Sequence, residues 1–405
     1  MNDKFLVLLI DGMADYPMEE LNGKTVMEYA NTPYIDQLAK KAEMGLVKTV
    51  PDGYPPGSDV ANMSVLGYDP ARYYTGRSPF EALSMGIELK ENDVSLRCNL
   101  VNLKGEGDYA SKIMWDHSAG EISSEEAKLI IDDCEKELGS DEFKFYSGIS
   151  YRHLLVWRNG NKDIELTPPH DILEKNIKDH LPKGQQSKSL LGLMENSNEL
   201  LREHSVNNDR KAKGDLEANS IWFWGEGVKP ALTSFSDKYG INGSVISAVD
   251  LIKGLGLAAG LRPIEVAGAT GRIDTNFTGK VEAAIESLRF GDDFVFLHIE
   301  AADEAGHQGD LETKIKAIEM VDDLVVKPIS KEMKFFDGFS FMILPDHYTP
   351  VSIRTHVANP VPFMIYRNGN GSLEDKDQIF SENTARKADL YFPQGHKLID
   401  YFIKA

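Results

Sequence analysis

Three short segments of this chain are apolar along their whole length rather than at every second position: "FLVLLI" (Phe5–Ile10), the core of "DFVFLHIEA", and the core of "FSFMILP". A strand buried on both faces reads this way, and such strands belong to parallel sheets covered by helices. Helical patterns lie between them, including "TGKVEAAIESLRF" and "LETKIKAIEMVDDLVVKPI", with apolar residues at three- and four-residue spacing. The expected fold is therefore α/β, a mostly parallel sheet flanked by helices. Ligands of such sheets bind beyond the carboxyl ends of the strands. Asp11, Asp303 and Asp346 each follow one of the apolar runs at that end.

The middle of the chain has a different texture. Between about residues 85 and 186 the segments are shorter and more alternating: "VSLRCNLVNL", "ASKIMWDH", "EEAKLIIDDCEKEL", "YRHLLVWRN", "DILEKNIKDHL". This β-β-α-β-β-α order predicts a small α+β domain, 85–186, inserted into a larger one formed by 1–84 and 187–405. The polar "PKGQQSKS" (Pro182–Ser189) reads as the linker back.

The 405 residues include 44 basic and 64 acidic side chains, a net charge of −20. That balance argues against nucleic acid or an anionic membrane as a partner. Two cysteines, Cys98 and Cys134, are too few for a disulfide framework or a thiolate metal site, and they fit a reducing compartment. The six-residue apolar run near the N-terminus is short for a secretory signal. The expected location is cytoplasmic.

Carboxylates beside imidazoles suit Mn²⁺, Zn²⁺ or Fe²⁺. Asp303 and His307, four apart in "EAADEAGHQGD", could hold one ion. Asp346 and His347 in "FMILPDHYTP" are adjacent, point different ways, and could serve two neighbouring ions. His356 follows in "RTHVANPVPF". Each piece alone reads as a turn or cap; together with Asp11 at the same sheet edge they read as a dinuclear site. Two such ions clamp both the attacking and leaving oxygens in phosphate-ester chemistry. A nucleophile is available in "PDGYPPGSDVANMSVLGYDP", where Ser58 stands at the start of a helical stretch. Free N–H groups at a helix start favour a phosphate. Alone, Ser58 would read as a helix cap.

The segments "LLIDGMADYP", "NTPYIDQLA", "PPGSDVANMSVLGYDP", "YTGRSPFEA", "SYRHLLVW", "SAVDLIKGLGLAAGL", "ATGRIDTNF", "EAADEAGHQGD" and "PDHYTP" resemble, in this order, the archaeal-type cofactor-independent phosphoglycerate mutases of the alkaline phosphatase superfamily. The resemblance runs from Phe5 to about Pro362. It implies an alkaline-phosphatase-like sheet, with one metal held by Asp303, His307 and His356 and another by Asp11, Ser58, Asp346 and His347. It implies two divalent ions, Mn²⁺ or Zn²⁺, and no bisphosphoglycerate. Ser58 would be phosphorylated and dephosphorylated as 3-phosphoglycerate becomes 2-phosphoglycerate, with the inserted domain as lid. Arg152, His117 and Lys253 are candidates for the substrate carboxylate and phosphate, and Gly225 and Gly227 for a loop near the site. An acid expected before "PVPF" is replaced by Asn359. The alternatives are a homoserine-kinase-like phosphotransferase and a metal-dependent phosphomonoesterase. A non-catalytic metal-binding protein would be expected to lack a ligand or the serine.

Overall fold

The apolar runs form the centre of an eight-stranded sheet in the computed structural model, which describes residues 3–368 and 375–404. From edge to edge the strands are Arg262–Pro263, Gly243–Ile246, Phe294–Ile299, Lys4–Ile10, Phe339–Leu344, Val361–Asn368, Glu43–Val47 and Leu390–Phe392. Val361–Asn368 is antiparallel to both neighbours, and the other pairings are parallel. Phe294–Ile299 and Phe339–Leu344 are buried throughout. Burying each such aliphatic or aromatic side chain contributes about 1.5–3 kcal/mol, so charge is tolerated mainly past the strand ends.

Register then assembles those ends. Ile10 pairs with Ile299 and Leu9 with Leu344, which brings Asp11, Glu300 and Asp346 to one edge. Asp303 is not the strand-end residue that the sequence suggests. The helix Ala301–Gln308 starts directly after Phe294–Ile299, so Glu300 takes that place. Asp303 and His307 lie on this helix four residues apart, hence on one face. Gly306 lets the helix approach closely: a Cβ there would sit 2.4 Å from the Thr349 carbonyl oxygen.

The long helical pattern near residue 320 is interrupted. Leu311–Val321 and Lys327–Glu332 are α-helical, and Asp322–Val326 between them is a π-turn. Pro328 lacks an N–H and would crowd the carbonyl four residues back, and the wider turn makes room for its ring. Asp322 uses its buried carboxylate to accept from the N–H groups of Ile35 (2.7 Å) and Tyr34 (3.2 Å).

Lys314 is fully buried, with its ammonium 2.8 Å from Asp15 Oδ2 and 2.8 Å from the Thr349 carbonyl oxygen. Lys314→Met would leave Asp15 buried without its cation, and a loss of about 3–5 kcal/mol in urea unfolding is expected. Adding Asp15→Asn should recover part of it.

The chain divides into two compact units, Met1–Tyr74 with Ala231–Ala405, and Thr75–Pro230. The second is longer than the 85–186 insertion expected. Strand Val94–Lys104 explains the excess, because it pairs on one edge with Arg152–Trp157 and on the other with Ser220–Val228. Helices Ser187–Leu201 and Ser205–Lys213 carry the chain to that last strand. "PKGQQSKS" is therefore not the way back: Lys183–Gly184 pairs with Ile164–Glu165, and the helix starts at Ser187. "DILEKNIKDHL" forms two short 3₁₀ turns, Pro169–Ile172 and Lys178–His180, rather than an α-helix. Helix Ser124–Leu138 packs against strand Phe143–Ile149 and buries Ala127, Ile130, Ile131 and Cys134. Gly225 and Gly227 lie in strand Ser220–Val228, not in a loop. The ends of this unit are tied together, Val228 N donating to Thr75 O at 3.2 Å and Thr75 Oγ1 to Val228 O at 2.8 Å.

Candidate active site

Asp11, Ser58, Asp303, His307, Asp346, His347 and His356 converge at the carboxyl edge of the large sheet. The floor is buried, with Asp11, Asp346 and His347 no more than 4% exposed. Ser58, Asp303, His307 and His356 form a half-buried rim.

Ser58 is the first residue of helix Ser58–Val65, entered through extended Gly57. Its hydroxyl lies 3.2 Å from His347 Nε2. Asn62, one turn further on, donates to Ser58 O (2.8 Å) and to Asp346 Oδ2 (2.9 Å). One amide thus ties the serine helix to the Asp346–His347 loop. Asp346 Oδ1 also accepts from Gly12 N at 3.2 Å and His347 N at 2.9 Å. Gly12 has φ +61°, and a Cβ there would lie 2.6 Å from Asp303 Oδ1 and 2.7 Å from Asp303 Cα.

Asp303 Oδ2 is 3.3 Å from His307 Nε2, and its Oδ1 is 3.4 Å from His356 Nε2. The two Nε2 atoms are 2.8 Å apart, and the rings of His347 and His356 stack at 3.8 Å. Thr349 Oγ1 donates to Asp303 Oδ1 and lies 3.2 Å from His347 Nδ1.

Burial raises Asp11 well above the ordinary carboxylate range, and the negative charges of Asp346 and Asp303 add to it. Burial acts on Asp303 too, but hydrogen bonds with His307 and His356 outweigh it and hold that carboxyl well below. Burial pushes His347 down to about 4. His307 rises to about 9, because Asp303 overcomes its desolvation.

These residues fit divalent cations. Asp11 Oδ1 is buried without a hydrogen-bond partner. Two groups, Asp303–His347–His356 and Asp11–Asp346–His347, each present ligand atoms within 4.8 Å of one another. Oxygen and imidazole donors with no thiolate suit Mn²⁺ or Zn²⁺.

Sequence reading passed over Asn62, Thr349 and a buried set behind Asp11. His298 Nε2 is 3.1 Å from Asp11 Oδ2, Glu300 Oε1 is 2.8 Å from His298 Nδ1, and Lys280 Nζ is 3.1 Å from Glu300 Oε2. The available signal was His298 and Glu300 two apart, on one face, in an otherwise apolar segment.

The substrate candidates are placed differently. Lys253, on helix Asp250–Ala258, is held 3.3 Å from Asp250 and 3.1 Å from Glu265. That helix packs against Ser58–Val65. In the second unit, exposed Arg152 opens strand Arg152–Trp157, with its guanidinium 5.1 Å from the centre of the Tyr151 ring. His117 meets Tyr151 edge-on at 5.6 Å and His170 at 6.1 Å. Arg97, buried nearby, lies 4.5 Å over Trp224 and pairs with Glu81 at 3.0 Å. Burial draws it down to about 10 against the pull of Glu81, and Arg77 and Arg152 push the same way as burial. Arg77, Arg97 and His170, which the sequence reading did not single out, thus share one basic neighbourhood with Arg152 and His117. Asn359 accepts from the Tyr16 hydroxyl at 3.1 Å.

The fold is that of the cofactor-independent phosphoglycerate mutase of Thermoplasma acidophilum, with a TM-score of 0.63 at 24% identity over 99% of each chain. A protein of Pyrococcus horikoshii matches with a TM-score of 0.82 at 28% identity, covering 100% of this chain and 97% of that one. The family model described as 2,3-bisphosphoglycerate-independent phosphoglycerate mutase matches residues 39–207. A probable enzyme of that name from Geobacter sulfurreducens is 49% identical over 400 residues, 99% of each chain. One from Methanosarcina acetivorans is 48% identical over 403 residues, 99% of this chain and all of the other. The chain belongs to the family of 2,3-bisphosphoglycerate-independent phosphoglycerate mutases. Among the described residues, no helix is long and apolar enough to cross a membrane.

Proposed function

We propose that the protein interconverts 3-phosphoglycerate and 2-phosphoglycerate through a phosphoserine at Ser58, with two divalent cations and no bisphosphoglycerate. The reading places it in glycolysis and gluconeogenesis, in the cytoplasm. The observation that carries it is the Ser58 hydroxyl at the first turn of its helix, 3.2 Å from His347, where the two acid–imidazole groups meet.

Asp303, His307 and His356 would hold one cation, and Asp11, Ser58, Asp346 and His347 the other, Mn²⁺ or Zn²⁺ being the ions this donor set suits. Cations held there supply positive charge facing the transferring phosphoryl group. Ser58 Oγ loses its proton and bonds to phosphorus as the phosphorus–oxygen bond to C3 of the glycerate breaks, and the C3 oxygen takes up a proton. After the glycerate turns, its C2 hydroxyl oxygen loses its proton and attacks the same phosphorus, and Ser58 Oγ leaves and regains a proton. Isomerisation rather than hydrolysis requires water to be kept out and the acceptor held within reach.

The reading makes Thr75–Pro230 the substrate-binding unit, with Arg152 and His117 on the glycerate carboxylate. Its guanidinium fork suits bidentate recognition. Lys253 would exchange Asp250 and Glu265 for the substrate phosphate. Arg152→Ala is expected to raise KM for 3-phosphoglycerate by about tenfold or more, the size of a charge-assisted hydrogen bond, with Arg152→Lys in between.

Metal-stripped protein reloaded with Mn²⁺ and given 3-phosphoglycerate alone tests the whole reading. Phosphorus NMR should show 2-phosphoglycerate appearing with little inorganic phosphate. Phosphate as the main product would instead mean a phosphatase. With Mn²⁺ bound and no turnover, the mutase reading would fall.

A further inference from the structure

We infer that the buried row Lys280–Glu300–His298 is a positioning device for Asp11, leaving one chosen oxygen of that carboxylate for a metal. The inference rests on the metal reading above but concerns residues that reading does not use. Lys280 and His298 are fully buried, and Glu300 and Asp11 are 5% and 4% exposed. Burying this many charged groups costs several kcal/mol for each ion unless every partner is supplied. Here they are supplied with little slack. Lys280 Nζ donates to Glu300 Oε2 and to the His298 carbonyl oxygen, both at 3.1 Å. Glu300 Oε1 accepts from His298 Nδ1 at 2.8 Å, Ser247 Oγ at 2.9 Å and Ala248 N at 3.3 Å. His298 Nε2 then meets Asp11 Oδ2 at 3.1 Å.

The row stops there. Asp11 Oδ2 is engaged, while Oδ1 is buried with no hydrogen-bond partner and lies 3.6 Å from His347 Nε2, on the side of Asp346 and His347. An apolar core would hold the strand equally well. What these three side chains add is a fixed rotation of one carboxylate. The parallel register supports this, because His298 pairs with Leu9, two residues before Asp11 on the adjacent strand. An Asp11 limited to one oxygen acts as a one-point ligand, which favours small transition-metal ions over Ca²⁺, whose sites gather six to eight oxygens and often take carboxylates two-point.

The test is Mn²⁺ binding by calorimetry to metal-free wild type, His298→Phe and His298→Gln, with thermal melts of each metal-free protein. Wild type should bind two ions. His298→Phe should weaken one of them by about 10- to 100-fold, as loss of a ligand-orienting partner does, and leave the other unchanged. His298→Gln keeps an N–H donor and should recover most of the affinity. If His298→Phe does not fold, Glu300→Gln, matched in shape, should show the same selective weakening at about tenfold. Unchanged affinities in a folded His298→Phe would overturn the inference, and so would a His298→Gln no tighter than His298→Phe. Wild type binding no Mn²⁺ would instead overturn the metal reading itself.

Discussion

Protein carrying Ser58→Ala is expected to lose isomerisation by roughly four to six orders of magnitude, as enzymes do when a covalent nucleophile is removed. The substitution deletes one oxygen from a half-buried helix start, so circular dichroism and melting temperature should hardly change. Incubation with phosphorus-labelled 3-phosphoglycerate should leave label on wild-type protein and none on the variant. Retained isomerisation would remove Ser58 from the chemistry and send the search to a direct transfer. The adjoining Asn62 sharpens the test. It ties the helix to Asp346, so Asn62→Ala should lower activity while leaving the label on Ser58.

Gly12→Ala should have a large effect by a different route. At φ +61° an alanine adds strain of order 1–3 kcal/mol, and its methyl would sit within 2.7 Å of the Asp303 backbone. That contact cannot be relieved by rotating a side chain, because Asp303 Cα is fixed in helix Ala301–Gln308. The helix start or the Asp11 turn must move, and both carry proposed ligands. The expected result is a total loss of about 2–5 kcal/mol in urea unfolding together with loss of tight Mn²⁺ binding. A stable Gly12→Ala protein with wild-type Mn²⁺ affinity would show that the turn yields to a methyl group without moving the ligands.

The centre of the large sheet was legible because burial on both faces leaves a distinctive apolar run, as in Phe5–Ile10. Its edges were not. Arg262–Pro263 and Leu390–Phe392 are two and three residues long, too short to leave a periodic pattern. Ligand-type residues stood out because acids and imidazoles interrupt apolar sequence at one sheet edge. Their partners did not, since Thr349, Asn62 and Lys280 are chemically ordinary until the fold sets them beside Asp303, Asp346 and Glu300. The extent of the second unit was hidden for a similar reason. Gly225 and Gly227 read locally as part of a loop, and the pairing that makes "SIWFWGEGV" a strand, with Val94–Lys104 more than a hundred residues earlier, is non-local. The helix after "PKGQQSKS" likewise carries nothing that says to which body it belongs.

The paired bonds between Thr75 and Val228 have a consequence for how such a protein can change. A segment that holds its own two ends together imposes little extra closure entropy on the chain that hosts it, and insertions of this kind are tolerated where termini lie close. Residues 75–230 can therefore diverge, lengthen or be exchanged as one cassette while the eight-stranded sheet stays intact. Under the proposed function, selection on the acceptor acts on the cassette and selection on the metals acts on the sheet.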